Sequence, residues 1–468
     1  MKAFTILEIR QIINGDLIQG TDDLVIDYIP PYKKIRSNKK NVLIFQRGRN
    51  SFDLLNIQLR LPCAIVVDAK TNQPQYQNIK GLTIIWVDDV KVAYWKFVDY
   101  YRGLFDIPVV SVTGTCGKTT TKDIITHILK ETKSVQSTYS SANARTAHLH
   151  YLIGIEESTE AAVFETAVGS PGDVTLANRY FKPNIGIITN IGACHLTGCK
   201  TIEGYIKAKG EMVTSLGKDS VLILNADDEK TNTLNLKNFS GKILYFGIKN
   251  NADFQATDIE YGNNGMIFTL KTIENQYPVF IPGYGEHQIY NALAALAVTS
   301  VMKVDLRRAT NRLKSFKNPV RHTEIFTGIK GATIIDDTWN FNTTSLKAGM
   351  EVLNHVANGK RKIALFTDMA SLGNYEEELH KEAGEIIRQF GADVILTIGN
   401  LAKDMALHAK SLGLNCTIQS FTNYEELYEQ LVKLLNKDSS LYIKSFGNNL
   451  NMIEIVKKLI RKGHSNRD

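Results

Sequence analysis

Short apolar runs rich in β-branched residues recur along this chain, and each is followed by a stretch with helical periodicity. The runs comprise residues 108–112, 161–165, 184–191, 220–227, 332–337, 362–368, 393–399 and 441–447. Helical spacing is clear in 118–130, where Ile124, Ile128 and Leu129 fall on one face. Continuous apolar runs are typical of strands buried on both faces, and their alternation with helices is typical of parallel sheets. The pattern therefore predicts an α/β fold.

The length of 468 residues corresponds to about three domains of ordinary size. We predict a smaller N-terminal α/β domain over 1–105, a central domain over 106–315 and a C-terminal domain over 316–468. The second boundary is drawn at FKNPVR (316–321), where a helical stretch stops and a new strand begins. Within the central domain, residues 228–285 are predicted to form a β-rich extension, because their NNG triplet is typical of a hairpin turn.

Composition excludes several classes of protein. Five cysteines are too few for a disulfide framework, and none lies in a CxxC pair that would indicate structural zinc. The net charge of +7 suits small anionic substrates, and it is far from the concentrated basic surface of a nucleic-acid binder. Glu8 and Arg10 interrupt the N-terminal apolar run, and no stretch is apolar for the length of a membrane span. We therefore expect a cytoplasmic enzyme, a monomer or homodimer, that binds neither nucleic acid nor membrane.

The strongest local motif is a buried strand that runs through a glycine-rich loop into a helix. The loop residues are Gly114, Thr115, Cys116, Gly117, Lys118, Thr119 and Thr120. Such a loop points backbone N–H groups and a helix N-terminus at phosphate oxygens. Lys118 is placed to neutralise the β and γ phosphates, and the Thr119 hydroxyl to bind Mg²⁺. Val112 stands where the GxxxxGK[ST] pattern has its first glycine, which favours a shorter loop than that of GTPases and kinases.

Together with later motifs, this loop resembles that of the Mur ligases, a family of ATP-dependent amide-bond ligases. The resemblance is closest to the ligases that add D-alanyl-D-alanine. It covers about 105–460 and rests on several ordered segments. These are Thr113–Thr121, Glu165 in VFETAVGSPGDV, Asn190–Leu196 with His195, Lys209 with Glu211, Gly285 with His287 and Asn291, Arg321, Asp336–Asn342, and Asp368–Met369 with Leu372, Gly373 and His380.

The resemblance implies three domains, with a central P-loop mononucleotide-binding sheet and a Rossmann-like C-terminal domain. It implies that ATP converts a carboxylate into an acyl phosphate, which an amine then captures with release of ADP and phosphate. Lys118, His195 and Lys209 would be catalytic. The metal ligands implied for Mg²⁺ are Thr119, Glu165, His195 and Lys209, the last as a carbamate.

The resemblance also implies where the small-molecule substrates bind. The residues implied to bind the nucleotide, besides loop residues 114–120, are His287, Asn291, Arg321 and Asp336. The residues implied to face the carboxylate and amine substrates are Asn143, Asn340, Asn342, Asp368 and Met369. Read from the residues alone, DDTWNFN (336–342) remains open to a second interpretation as an ordinary polar loop, and Lys209 to one as an exposed helical lysine.

Four departures from the family pattern leave the substrates open. Cys116 replaces an asparagine, Pro31-Tyr32-Lys33 stands where an Asp-Ser-Arg segment is usual, Asn143 remains of a pair of asparagines, and Thr343 and Thr367 replace a proline and a glycine. One hypothesis is addition of a dipeptide or amino acid to a UDP-muramoyl peptide. The alternatives are a diverged ligase that acts on another carboxylate, a P-loop kinase or ATPase, and a non-catalytic nucleotide-binding protein.

Overall fold

The computed structural model describes residues 1–30, 39–46, 53–71, 73–143, 151–194, 196–447 and 449–460. It shows a mixed α/β protein with several sheets, as the apolar runs predict. Contacts divide the chain into two compact units. The first comprises Met1–Ser111, Thr132–Phe164 and Leu176–Pro183, and the second Val112–Glu131, Glu165–Thr175 and the chain from Asn184 onward. Within the described ranges, every helix is too short or too polar to cross a membrane.

The N-terminal part of the first unit is a small α/β structure. Its strands are β1 (Phe4–Thr5), β2 (Asp16–Gln19), β3 (Val25–Ile26), β4 (Val42–Phe45), β5 (Cys63–Val67) and β6 (Leu82–Trp86). Its helices are α1 (Ile6–Ile13), α2 (Leu54–Gln58) and α3 (Val90–Gly103). The strands β4, β5 and β6 pair in parallel, and β2 adds to β6 in the antiparallel direction. Helix α3 begins at the Asp89 carboxylate, which accepts the N–H groups of Lys91 and Val92 and so caps the helix.

A nine-stranded sheet carries the central part of the chain. Its strands are β7 (Val109–Thr113), β8 (Val135–Ser137), β9 (Ala161–Glu165), β10 (Ile185–Ile188), β11 (Val221–Asn225), β12 (Lys242–Gly247), β13 (Phe254–Gly262), β14 (Gly265–Lys271) and β15 (Gln276–Pro282). Their order is β15-β14-β13-β12-β11-β10-β7-β9-β8. The strands β10 to β13 pair in parallel, whereas β13, β14 and β15 form antiparallel hairpins. The first hairpin turns at Asn263 and Asn264, inside the NNG triplet.

Helices join these strands. They are α4 (Lys118–Leu129), α5 (Asp173–Phe181), α6 (Leu196–Cys199), α7 (Ile202–Ser215), α8 (Glu286–Val301) and α9 (Leu306–Leu313). Helix α8 is apolar around its circumference and almost wholly buried, because it lies against α4 and the strands of the sheet. Such a helix belongs to the interior of a large domain.

The C-terminal part is a six-stranded, mostly parallel sheet with helices between the strands. The strands are β16 (Glu324–Thr327), β17 (Thr333–Asp337), β18 (Arg361–Thr367), β19 (Val394–Ile398), β20 (Thr417–Phe421) and β21 (Ser439–Lys444). The helices are α10 (Thr343–Ala357), α11 (Glu376–Phe390), α12 (Asn400–Ser411), α13 (Tyr424–Leu434) and α14 (Leu450–Leu459). The strand order is β16-β17-β21-β18-β19-β20, and only β16 runs antiparallel to its neighbour.

The two faces of this C-terminal sheet meet different cores. Ile334 of β17 packs into a core formed with Leu427 of α13 and Met452 of α14. Ile335 points the other way, into a core that is shared with Leu346 of α10 and Leu222 of β11. Because side chains alternate along a strand, the two aspartates that end β17 also point to opposite faces.

Candidate active site

The glycine-rich loop lies between β7 and α4, and two of its residues must be glycine. A Cβ atom on Gly114 would lie 1.9 Å from the Thr189 Oγ1 atom, and one on Gly117 would lie 2.2 Å from the Asn291 Oδ1 atom. Gly117 also has φ of +79°, which other residues adopt only at a cost. The loop is therefore pressed against its neighbours, and a side chain at either position would displace it.

The segment that follows β10 holds the loop in shape. The Thr115 N–H donates to the Asn190 carbonyl (2.9 Å), and the Cys116 N–H donates to Asn190 Oδ1 (3.0 Å). The Cys116 carbonyl in turn accepts from Thr189 Oγ1 (2.6 Å) and Asn190 Nδ2 (3.1 Å). The amides of Thr115 and Cys116 are thus bonded inside the protein. The amides of Gly117–Thr120 lie at the start of α4, where a helix has unpaired N–H groups that can receive an anion.

Lys118 folds back over the loop that carries it. Its Nζ atom donates to the Thr115 carbonyl at 3.0 Å. This contact keeps the ammonium group beside the amides at the start of α4, so that both would meet the same anion. The loop, its lysine and the helix N-terminus together form one region of positive potential.

Two oxygen-bearing side chains meet beside the loop. Glu165 ends β9 and is 1% exposed, and its Oε2 atom accepts a hydrogen bond from Thr119 Oγ1 at 2.9 Å. A carboxylate and a hydroxyl at this separation are ligands of the type that Mg²⁺ prefers. The residues at hand therefore fit a magnesium ion, although the described ranges hold no cluster of three histidine, cysteine or acidic side chains. His195 lies outside the described residues.

Lys209 reaches the loop from α7. Its side chain is 1% exposed, and Nζ donates to the Gly114 carbonyl (2.7 Å) and lies 3.3 Å from Thr113 Oγ1. Burial lowers the pKa of Lys209 well below its usual value, and the nearby charge of Lys118 lowers this pKa further. Lys209 is thus a buried amine, not an exposed helical lysine, and its environment favours the neutral form.

Helix α8 carries two of the predicted nucleotide residues, and one of them, Asn291, contacts the loop region. Asn291 Oδ1 accepts from Thr121 Oγ1 at 3.3 Å and lies against Gly117. The Nδ1 atom of His287 is buried, and no described residue offers it a hydrogen bond. Burial lowers the pKa of His287. A buried ring nitrogen without a partner is costly, so this atom is suited to a contact with a ligand.

Arg321 is held at the start of the C-terminal sheet. Its guanidinium group lies 4.8 Å from the centre of the Trp339 ring, within range of a cation–π contact. Its Nη1 atom donates to the Gly447 carbonyl at 3.1 Å, and its N–H donates to Glu324 Oε2 at 2.6 Å. The guanidinium cation is thereby oriented by two contacts, and the bond to Glu324 holds the Arg321 backbone.

The two aspartates at the end of β17 differ in position. Asp336 Oδ1 accepts from the Thr338 hydroxyl (2.7 Å) and N–H (3.1 Å), and burial raises the pKa of Asp336 to about 6. It shares its face with Ile334, under α13 and α14. Asp337 shares the other face, where the core continues into the central part of the chain. That Asp336 binds the nucleotide stays a prediction, and Asp337 on the other face is a further candidate, since one member of such a pair points to each face.

The loop that follows β17 contacts the phosphate loop. Asn342 caps α10 through Oδ1, which accepts the Ser345 N–H at 2.9 Å. The same atom accepts from Cys116 Sγ at 3.4 Å, while Asn342 Nδ2 is buried without a described partner. Asn340 is half-buried. The structure thus brings Asn342 into contact with the phosphate loop.

The remaining predicted substrate residues have structural partners. Asp368 Oδ1 accepts the Ala402 N–H at 2.7 Å and so caps the start of α12. Met369 is 3% exposed, and its N–H donates to His380 Nε2 at 3.1 Å. Asn143 belongs to the first compact unit. None of these contacts depends on a ligand.

Comparisons with known proteins agree with the motifs. Residues 112–299 match the Mur ligase middle domain, and residues 322–447 match the Mur ligase, glutamate ligase domain. The UDP-N-acetylmuramoyl-tripeptide–D-alanyl-D-alanine ligase of Bacillus subtilis is 30% identical over 377 residues, which are 81% of each chain. The enzyme of that name from Buchnera aphidicola subsp. Acyrthosiphon pisum is 25% identical over 465 residues, 99% of each chain.

Solved structures show the same fold. A MurF structure from Acinetobacter baumannii has a TM-score of 0.84 at 22% identity, and the match covers 98% of this chain and 100% of the other. MurF from Thermotoga maritima in complex with ADP has a TM-score of 0.76 at 22% identity, covering 92% of this chain and 97% of the other. The prediction of a three-domain α/β architecture is confirmed. The chain therefore belongs to the Mur ligase family and is an ATP-dependent, ADP-forming ligase.

Proposed function

We propose that this ligase joins D-alanyl-D-alanine to the terminal carboxylate of a UDP-N-acetylmuramoyl tripeptide. The observation that carries the proposal is the similarity to enzymes of that name, at 30% identity over 81% of both chains and at 25% over 99%. The second alignment covers 99% of both chains, and so extends well beyond the nucleotide loop. It therefore supports shared substrates and not only shared use of ATP.

The proposed reaction has two steps. A carboxylate oxygen of the tripeptide attacks the γ-phosphorus atom of ATP, the bond from this phosphorus to the β–γ bridging oxygen breaks, and ADP leaves. The dipeptide amine then attacks the carbonyl carbon of the acyl phosphate, phosphate departs with the former carboxylate oxygen, and the amine loses a proton. Lys118 and the amides of Gly117–Thr120 would hold the phosphates in line and stabilise the charge that moves between oxygens.

We propose that Thr119 and Glu165 hold Mg²⁺, with His195 and Lys209 as further ligands. When bound, the ion would neutralise phosphate charge and bring the anionic carboxylate near ATP. Lys209 carries a nitrogen, which Mg²⁺ binds poorly. A carbamate on Lys209 would supply oxygen ligands instead, and its burial favours the neutral amine that can attack CO₂.

The remaining assignments complete the proposal. Arg321 and His287 would bind the nucleotide. Asn291 would support the nucleotide loop through its contacts with Gly117 and Thr121. Asn340 and Asn342 would contact the amine substrate. We propose that 1–105, 106–315 and 316–468 act as carboxylate-binding, ATP-binding and amine-binding domains. ATP and nucleotide-linked sugars are cytoplasmic metabolites, so we place the enzyme in the cytoplasm, as a monomer or homodimer.

A second candidate function is the ligation of an amino acid to a different carboxylate. It is favoured by Pro31-Tyr32-Lys33, where related ligases have an Asp-Ser-Arg segment; these three positions lie outside the described residues. Thr343 and Thr367 in the amine-side loops also depart from the pattern.

The test is release of ADP by the purified chain with UDP-N-acetylmuramoyl tripeptide, ATP, Mg²⁺ and D-alanyl-D-alanine. Separate reactions omit the tripeptide or the dipeptide, or replace the dipeptide with single amino acids, and mass spectrometry identifies the product. The proposal predicts ADP release that requires both substrates and yields the pentapeptide. Turnover only with another carboxylate would establish the second candidate, and ADP release without any amine would indicate a phosphotransferase or ATPase.

A further inference from the structure

His380 is a buried histidine that the proposed reaction does not use, and it holds the loop that follows β18. The residue lies on α11 and is 2% exposed. Its Nε2 atom accepts the Met369 N–H at 3.1 Å, and its Nδ1 atom lies 2.6 Å from the Glu376 carbonyl. Because Nε2 accepts a hydrogen bond, the ring proton is on Nδ1, which donates to that carbonyl. Both ring nitrogens therefore bind backbone groups, and together they fix one tautomer.

The loop that His380 holds comprises residues 368–373, and it is also fixed at other points. At its start, Asp368 Oδ1 accepts the Ala402 N–H at 2.7 Å. Further along, Ser371 has φ of +64°, which residues with a Cβ atom adopt only at a cost. Such a conformation persists only where the surrounding structure imposes it. The shape of the 368–373 loop therefore depends on the residues that hold it.

The same loop contacts the central part of the chain. The Thr197 N–H of α6 donates to the Ser371 carbonyl across 3.5 Å. Leu372 belongs to the same buried core as Leu196, the first residue of α6. Helix α6 begins directly after His195, which is proposed above as a metal ligand. The 368–373 loop thus lies against the helix that follows this residue.

A second loop at this edge of the C-terminal sheet also contacts the central part. It follows β17, and its Asn342 accepts a hydrogen bond from Cys116 of the phosphate loop. Ligands of parallel α/β sheets bind beyond the carboxyl ends of the strands, which is where both loops lie. An amine that attacks an acyl phosphate must come close to the phosphate loop. These two loops are therefore suited to guide it there.

We propose that His380 is a positioning residue for the amine substrate, which acts by fixing the Met369 backbone and with it the 368–373 loop. The inference rests on the proposed function, in which the C-terminal domain binds D-alanyl-D-alanine. His380 itself does not contact the substrate. A small displacement of a supporting loop is costly in a reaction that depends on alignment. ADP binding should not depend on His380, because Thr189 and Asn190 hold the phosphate loop.

Two amide substitutions separate the two hydrogen bonds of the ring. A glutamine amide reaches about as far as Nε2, and an asparagine amide about as far as Nδ1, so His380→Gln can keep the Met369 bond and His380→Asn only the Glu376 bond. His380→Asn should lower kcat/KM for D-alanyl-D-alanine about tenfold, mainly through KM, because a buried N–H loses its acceptor and the loop loosens. His380→Gln should stay within about threefold of the wild type.

The assay measures ADP release with UDP-N-acetylmuramoyl tripeptide and ATP at saturation while the dipeptide concentration is varied. Calorimetry measures ADP affinity, and thermal unfolding measures stability. ADP affinity should be unchanged in both variants. His408→Asn is the matched control, because His408 lies on α12 of the same domain, with its Nε2 atom 4.0 Å from Glu385 Oε1. Its kinetics should match those of the wild type.

Equal losses of kcat/KM in His380→Gln and His380→Asn would overturn the inference and indicate a purely structural histidine. Wild-type kcat/KM in His380→Asn, or a parallel loss of ADP affinity, would also overturn it. If either variant fails to fold, Leu372→Val decides, because it loosens the same loop where it packs into the core. Wild-type kcat/KM for the dipeptide in Leu372→Val would then contradict the inference.

The proposed function fails in a different way. A wild type that forms no pentapeptide from D-alanyl-D-alanine contradicts the proposed function alone. The comparison of His380→Gln with His380→Asn then uses the amino acid that supports turnover, and the same difference between the two variants is expected.

Discussion

Gly117→Ala should disable the nucleotide loop for two separable reasons. The new methyl group forces alanine into a left-handed conformation, at about 1–2 kcal/mol. It also lies 2.2 Å from Asn291 Oδ1, so Asn291 must move and its hydrogen bond from Thr121 is lost, at about 1 kcal/mol. If this total of about 2–3 kcal/mol opposes nucleotide binding, the affinity for ADP falls about 30- to 150-fold.

Gly359→Ala is the matched control for this prediction. Gly359 has φ of +83° and open space where its Cβ atom would lie, so alanine there meets the conformational cost without the collision. Calorimetric titration with ADP, together with thermal unfolding, separates the two effects. Both variants should unfold at a lower temperature than the wild type, and only Gly117→Ala should bind ADP weakly. Wild-type affinity in Gly117→Ala, or an equal loss in Gly359→Ala, would refute the reasoning.

Three further predictions follow from the site. Lys118→Ala should lower kcat about 100- to 1,000-fold, as expected when a charge that stabilises the transition state is removed; normal turnover in an ADP-release assay would contradict the role of this lysine. Asn190→Ala should weaken ADP binding with little change in kcat at saturating ATP, because the substitution removes the side-chain hydrogen bonds that hold the Cys116 backbone. An unchanged KM for ATP would count against this prediction. Asp336→Asn should raise the melting temperature at pH 7–8 but not at pH 4. The pKa of Asp336 is raised from 3.8 to about 6. Above pH 6 its ionised form therefore destabilises the folded state, by up to about 3 kcal/mol. An equal rise in melting temperature at pH 4 would contradict this assignment.

The fold could be predicted from the sequence because its signals are local. Runs such as 184–191 and 393–399 are apolar on both faces, and only a strand covered on both sides buries such a run. The phosphate loop at 114–120 could be predicted equally well from the sequence, because its glycines and its lysine lie within one short segment of the chain. The conformation of such a motif depends mainly on residues within the same short segment, so it can be inferred without knowing the rest of the fold.

Contacts between distant segments could not be predicted in the same way. The faces of Asp336 and Asp337 depend on the order of strands in the C-terminal sheet, where β17 is paired with β21 across more than a hundred residues. That Asp368 faces the amine substrate stays a prediction, and its place after a strand did not indicate that its carboxylate also caps a neighbouring helix through Ala402. Such a cap depends on which helix start lies nearest in the folded chain, which the sequence does not state.

Oxygen transfer is the most direct test of the central claim that ATP activates a carboxylate as an acyl phosphate. The terminal carboxylate of the UDP-N-acetylmuramoyl tripeptide is labelled with ¹⁸O and incubated with the protein, ATP, Mg²⁺ and D-alanyl-D-alanine. Mass spectrometry of the released phosphate then follows the label. The account predicts one ¹⁸O atom in the phosphate for each amide bond formed from a fully labelled carboxylate. Amide formation with unlabelled phosphate would contradict it.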